Sequence, residues 1–346
     1  MQTDHRIEVA DARTLALPDD SVDLVVTSPP YPMIELWDDL FSTLDPAIEE
    51  ALDAGDGDRA FELMHDILNE VWGEVARVLA PGGVVCVNVG DATRRLDDRF
   101  QQYPNHAVVI DRLTAHGLDP LPDILWRKPV NRMTKFMGSG MLPPNAYATL
   151  EHEYILVFRK GGPRQFAPGE PRRYESAYFW EERNEWFSDL WTDVVGASQP
   201  LDADSAGRDR SGAFPLAIPY RLISMFSVYG DTVLDPFWGT GTTTLAAMLT
   251  GRNSVGYELD DGFLEPFDER INDLPERSRA LIDERIDDHR RFIAERESTP
   301  AYDAEEYDFR VVTSQETEIQ FYAVDQVDPH EDGYRVTHAP HPNGID

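Results

Sequence analysis

The 346-residue chain carries 31 basic and 64 acidic residues, a formal charge of −33, and 41% of it is apolar. That apolar share builds a sizeable core and excludes general disorder; the length suits one large α/β domain with insertions or several smaller ones. The single cysteine, Cys86, excludes an internal disulfide framework and a cysteine-based zinc site.

Residues 5–9 read as a short strand ending at Ala10-Asp11-Ala12. Residues 22–27 form the next strand, nearly all apolar and so expected to be buried on both faces. Directly after it stands Ser28-Pro29-Pro30-Tyr31. Two consecutive prolines fix the backbone and remove two N–H donors. The carbonyls of Ser28 and Pro29 are left as acceptors, and Tyr31 adds a flat face. The set suits a planar group with an amino substituent; it also reads as a proline-rich turn. Residues 39–79 read as helical, with Leu63, Ile67, Val71, Val75 and Val78-Leu79 at helical spacing until Pro81-Gly82-Gly83 stops them. Residues 84–89 are the third strand, and Cys86 within it reads as core.

Residues 91–213 break this rhythm. They are loop-rich, with many prolines and aromatics and with strands expected near 121–126 and 153–158. Between 126 and 173 stand nine basic residues against three acidic ones, including all three lysines, Lys128, Lys135 and Lys160. Trp126, Phe136, Tyr147 and Phe166 interleave them. Such an island is expected to touch a polyanion, with Arg127, Lys128, Arg132 and Lys135 as candidate contacts. Pairing with surface carboxylates is the alternative.

A helix over 214–226 precedes a strand at 232–235 and the loop Pro236-Phe237-Trp238-Gly239-Thr240-Gly241. A helix from 242 to 250 then leads to a strand at 254–258, ended by Glu258. Glycines let the backbone approach a ligand, and no lysine follows them, so this is not a phosphate-gripping loop. Asp235 repels phosphate and can bind an amine. An acid placed as Glu258 is can take ribose hydroxyls. Together they imply a nucleoside-bearing ligand without a pyrophosphate. Residues 262–297 read as charged helices, and 306–340 alternates like a small β-rich appendage. Strands alternating with helices define an α/β fold with a mostly parallel sheet.

Ser28-Pro29-Pro30-Tyr31 followed later by Asp235-Pro236-Phe237-Trp238-Gly239-Thr240-Gly241-Thr242-Thr243 resembles the β class of amino-group DNA methyltransferases. These enzymes use S-adenosyl-L-methionine and carry a circular permutation of the usual methyltransferase motif order. Asp11, residues 74–83, and Phe214-Pro215-Leu216 ahead of Arg221-Leu222-Ile223 agree with the resemblance, which covers residues 5–260. It implies a Rossmann-like class I methyltransferase fold over 1–260, a target-recognition insertion within 91–213, and a helical and β-rich appendage over 261–346. S-adenosyl-L-methionine is the implied cofactor, held by Asp11, Phe214, Asp235, Phe237, Gly239, Gly241 and Glu258. Ser28, Pro29, Pro30 and Tyr31 are the implied catalytic set. Ser28 and the Pro29 carbonyl hold the amino group of a flipped base, and Tyr31 stacks on it.

Double-stranded DNA is the implied substrate. The serine at the head of the motif favours N4 of cytosine; N6 of adenine, or an N-methyltransferase acting on RNA or protein, are the alternatives. Carbon-5 methylation needs a nucleophilic cysteine, which a core Cys86 does not supply. No metal is implied; a partner restriction enzyme and a homodimer are compatible with the resemblance. The composition, 28 arginines to three lysines on so acidic a chain, resembles halophilic archaeal members, which modify short palindromes such as CTAG. The chain starts without an apolar signal region, and no stretch approaches the ~18 apolar residues of a membrane span, so a cytoplasmic location is expected.

Overall fold

In the computed structural model, which describes residues 1–128, 137–194 and 214–342, β1 (Gln2–Val9) and β2 (Val22–Thr27) lead into α1 (Asp38–Leu44), α2 (Pro46–Asp53) and α3 (Gly57–Val78). The region expected as continuous helix is therefore three helices. Asp45 and Asp56 interrupt it: their carboxylates accept the backbone N–H of Ala47 at 2.9 Å and of Arg59 at 3.2 Å, and Pro46 takes a first-turn position.

Then follow β3 (Leu79–Val89), the hairpin β4 (Ala92–Leu96) and β5 (Arg99–Tyr103), α4 (Asn105–Ala115), β6 (Ile124–Arg127), β7 (His152–Arg159) and β8 (Leu190–Trp191). The hairpin and α4 fall where the sequence reads as loop. Val109 and Leu113, four apart and both fully buried, are the helical signal in that stretch. The last third holds α5 (Ala217–Phe226), β9 (Thr232–Asp235), α6 (Thr242–Thr250), β10 (Asn253–Glu258), α7 (Leu274–Glu295), β11 (Tyr322–His330) and β12 (Gly333–Pro340).

Among the described residues the main sheet runs β8-β6-β7-β3-β2-β9-β10-β1-β12-β11. The five central strands, β3 to β1 in that order, are parallel. Antiparallel pairs flank them, β7 on β3 and β12 on β1. The apolar run of β2 is explained by two-sided burial. Val25 packs into the layer of α3, with Met64, Trp72 and Val75; Leu24 and Val26 pack into the layer of α5 and α6, with Ile218, Leu222 and Ala246. Each such side chain contributes roughly 1.5–3 kcal/mol when fully buried. Cys86 lies in the second layer, and burial pushes its thiol pKa up.

The C-terminal strands expected as an appendage extend this sheet. Gln2 lies opposite Thr337 and Arg6 opposite Gly333. Val324 and Val336 pack with Trp238, Leu245 and Phe267 beneath the Gly-rich loop, so the chain end buttresses the region following β9. Alternation revealed strands here; it carried no signal of which strand they join. Among the described residues no helix is long and apolar enough to cross a membrane.

Candidate active site

β2 passes through α1–α3 to β3 on one side, while β9 passes through α6 to β10 on the other. The strand order reverses between β2 and β9, which opens a crevice at their carboxyl ends. Thr27 ends β2 and Asp235 ends β9. The Thr27 hydroxyl donates to Asp235 Oδ1 at 2.6 Å, tying two motifs that lie 208 residues apart. A cavity of about 550 Å³ occupies the crevice, lined by Asp11, Ser28, Pro29, Pro30, Tyr31, Phe214, Asp235, Phe237, Gly239 and Glu258. Ile34, Trp37, Phe41 and Val71 from the α1–α3 side give it an apolar wall.

Three of the acids in its wall differ in environment. Asp235 is buried, and burial raises its pKa to about 6, against hydrogen bonds from Thr27, Thr243 and the Phe237 backbone that favour the carboxylate. Glu258 organises the loop: its Oε2 accepts the Gly239 N–H at 2.8 Å, and its Oε1 accepts those of Leu259 at 2.9 Å and Asp260 at 3.0 Å. Asp11 receives a bidentate contact from Arg13, at 2.7 Å to Oδ2, and these bonds hold its carboxyl below the usual range.

Around the Pro-Pro turn, the Ser28 and Tyr31 hydroxyls lie 3.0 Å apart. Tyr31 Oη donates to Glu153 Oε2 at 3.1 Å and accepts from Asn88 Nδ2 at 2.8 Å. Lys128 Nζ donates to the other oxygen of Glu153 at 2.8 Å. Burial, then the Glu153 charge, pushes the Tyr31 phenol well above its ordinary pKa. Lys128 and Glu153 both line the cavity. Glu153 and Asn88 were not singled out from sequence. A glutamate at the head of the apolar run of β7 is the available signal.

Gly241 departs from its expected part. It does not line the cavity, and a Cβ there would lie 2.5 Å from Phe267 and 2.7 Å from Trp238 at a φ of +74°. It serves a left-handed helix cap against the chain's own aromatics. Of the basic candidates, Arg127 pairs with Glu151 at 3.4 Å on an exposed edge and Lys128 with Glu153. Arg132 and Lys135 lie outside the described residues. Elsewhere in the island, Lys160 pairs with Asp20 and Arg164 with Asp231 and Asp23, so part of its charge is neutralised locally.

A mixed sheet with a parallel centre and a Ser-Pro-Pro-Tyr turn beside a Gly-rich loop defines a Rossmann-like methyltransferase for amino groups. The family model described as DNA methylase, covering N6 and N4 amino-methyltransferases, matches residues 22–269, and the chain belongs to that family. S-adenosyl-L-methionine is the family's methyl donor. The Type II methyltransferase M.MthZI of Methanothermobacter thermautotrophicus is 56% identical over 326 residues, 93% of this chain and 91% of that protein. M.MjaI of Methanocaldococcus jannaschii is 50% identical over 281 residues, 78% of this chain and 91% of that one. Among solved structures, TTHA0409 of Thermus thermophilus, complexed with S-adenosyl-L-methionine, is similar at a TM-score of 0.59. It is 34% identical, and the match covers 77% of this chain and 94% of that one.

Proposed function

We propose that this chain is a Type II DNA methyltransferase that transfers the methyl group of S-adenosyl-L-methionine to the exocyclic N4 amino group of cytosine in a short duplex sequence. The observation that carries the reading is Ser28 at the cavity wall, at the head of the Pro-Pro turn. In the β class that the motif resembles, serine here accompanies cytosine more often, and aspartate adenine. The base leaves the duplex to reach the cavity. Ser28 and the Pro29 carbonyl accept the amino hydrogens, and the Tyr31 ring stacks on the base.

The cavity residues fit the cofactor. Asp235, an acid held at the end of a buried strand, faces the ammonium of the methionine part. Phe214 and Phe237 flank that part. A carboxylate offers about four lone-pair sites; Glu258 uses three on backbone N–H groups and keeps capacity for a ribose hydroxyl. When bound, the cofactor supplies an electrophilic methyl on a sulfonium sulfur. The chain contributes position and fixed dipoles.

Duplex DNA incubated with the protein and labelled cofactor, digested to nucleosides and analysed by mass spectrometry, is expected to contain N4-methylcytosine. N6-methyladenine alone would reassign the base. Label entering RNA or protein, and not DNA, would overturn the substrate class.

The charge of −33 supports a second proposal, adaptation to high salt. The Debye length falls from about 10 Å at 0.1 M to about 3 Å at 1 M, which removes most self-repulsion. The melting temperature is expected to rise markedly between those two conditions. A constant melting temperature would reject the halophilic reading.

A further inference from the structure

Behind Tyr31 lies a nearly buried carboxylate, Glu153, that has no part in holding cofactor or base. We propose that Ser28, Tyr31 and Glu153 form a proton relay that carries the amino proton from the methylated nitrogen to Glu153. The relay rests on amino-group methylation, and not on the choice between cytosine and adenine.

The hydrogen-bond pattern fixes its direction. A carboxylate only accepts. Glu153 Oε2 accepts one Asn88 Nδ2 hydrogen at 2.7 Å and the Tyr31 hydrogen at 3.1 Å, while Oε1 accepts from Lys128 at 2.8 Å. The second Asn88 Nδ2 hydrogen goes to the Tyr31 oxygen at 2.8 Å. Tyr31 has no proton left to give, so the 3.0 Å contact with Ser28 runs from the serine hydroxyl to the tyrosine oxygen. The Ser28 hydrogen therefore points away from the cavity, and its lone pairs remain for an amino hydrogen. The high pKa of Tyr31 keeps it a phenol, which passes a proton on without storing charge.

The step balances. The amino lone pair forms the N–CH₃ bond while the S–CH₃ electron pair returns to sulfur. The nitrogen, cationic after transfer, gives one proton to Ser28 Oγ. The Ser28 proton moves to Tyr31 Oη, and the Tyr31 proton moves to Glu153 Oε2. Ser28 and Tyr31 end neutral with their hydroxyls turned, and Glu153 ends as a carboxylic acid. Glu153 then releases its proton to water past Lys128, whose side chain is 40% exposed, which resets the chain.

The parts sit on rigid elements. Asn88 is in β3 and Glu153 in β7, adjacent strands of the sheet, and Lys128 follows β6 on the far side of β7. Gly90 lets them close up: a Cβ there would lie 3.1 Å from the Tyr31 ring and 3.3 Å from Glu153 Cγ. Among the described residues, the titratable groups bonded to Glu153 are Tyr31, from the turn after β2, and Lys128; β3 and the residue that follows it bring Asn88 and Gly90 against it. His152 and Tyr154, its neighbours on β7, point to the opposite face.

Glu153 is thus a positioning residue acting through Tyr31. The test uses the full chain, amplified unmodified genomic DNA and excess enzyme, to read a single-turnover rate. Glu153→Gln and Tyr31→Phe are each expected to slow methyl transfer about 100-fold. Cofactor affinity by calorimetry should stay within about twofold, and the double variant should be no slower than the slower single one. Glu153→Asp should restore part of the rate. A Glu153→Gln protein at full speed, a Glu153→Asp protein no faster than Glu153→Gln, effects that multiply in the double variant, or loss of cofactor binding along with rate would each overturn the relay while leaving the methyltransferase reading intact. A wild-type protein that methylates no amino group overturns both.

Discussion

Asp235→Asn is expected to weaken cofactor binding by about 10- to 100-fold at pH 8 and to remove most of its pH dependence. Hydrogen bonds to charged groups are worth about 1.5–3 kcal/mol, and about 1.4 kcal/mol is tenfold in affinity. Asp235 is buried, and its pKa stands at about 6, above the ordinary 3.8. The proposed contact with an ammonium requires the carboxylate, so wild-type affinity should fall as pH drops below about 6. The asparagine keeps the shape and stays neutral throughout. Stability runs the other way. A folded-state pKa above the unfolded one means the folded protein binds the proton more tightly, so this residue's contribution is greatest below pH 3.8 and is lost as pH rises through about 6. The ionised carboxylate then costs the ligand-free protein roughly 3 kcal/mol at neutral pH. Asp235→Asn should therefore melt higher than wild type without cofactor, and respond less to added cofactor. Calorimetric titration at pH 5 and pH 8, with thermal melts of both forms, measures all of this. Equal affinities at both pH values in the wild type would remove Asp235 from the cofactor site.

Ser28→Ala should lower the single-turnover rate by about 100- to 1,000-fold while cofactor affinity stays the same. Removing one preorganised hydrogen-bonding group from the reacting centre costs about 10²–10³ in rate where such groups have been deleted from enzymes. Ser28 lines the cavity on the β2 side, whereas the acids proposed to hold the cofactor lie on the β9 and β10 side. Binding and chemistry should thus separate in one variant. Normal methylation by Ser28→Ala would take the amino group out of its reach. A matching loss of cofactor affinity would place the serine in the other half of the cavity.

The two halves of the site were legible because each ends a strand that is apolar on both faces. Such a run in an α/β chain marks a central strand, and ligands collect at the carboxyl ends of central strands. Asn88 and Glu153 were not legible in the same way. Their meeting with Tyr31 depends on β7 running antiparallel beside β3, and the sequence carries the strands without their neighbours. The basic island is only partly weighed by its sequence, for a related reason. Counting charge along the chain takes no account of Asp20, Asp23 and Asp231, which reach Lys160 and Arg164 from elsewhere in the fold. Lys128, counted among phosphate contacts, turns inward to Glu153. Gly241 shows the limit of reading glycines: its missing side chain makes room for Phe267 and Trp238, not for a ligand.

The position of β1 has a consequence for how the enzyme is born. His5 lies opposite Ser254, and Gln2 opposite Thr337, so β1 finds its neighbours only about 250 residues or more further along the chain. At about 5–20 residues per second, β1 waits on the order of tens of seconds for its first partner. Throughout that interval the growing chain displays an open sheet centre at β2 and has the Ser-Pro-Pro-Tyr turn but not the Gly-rich loop that faces it across the cavity. Pairings this distant fold slowly and expose edges to wrong partners. Translation must pass Glu258 before the walls of the cavity can meet.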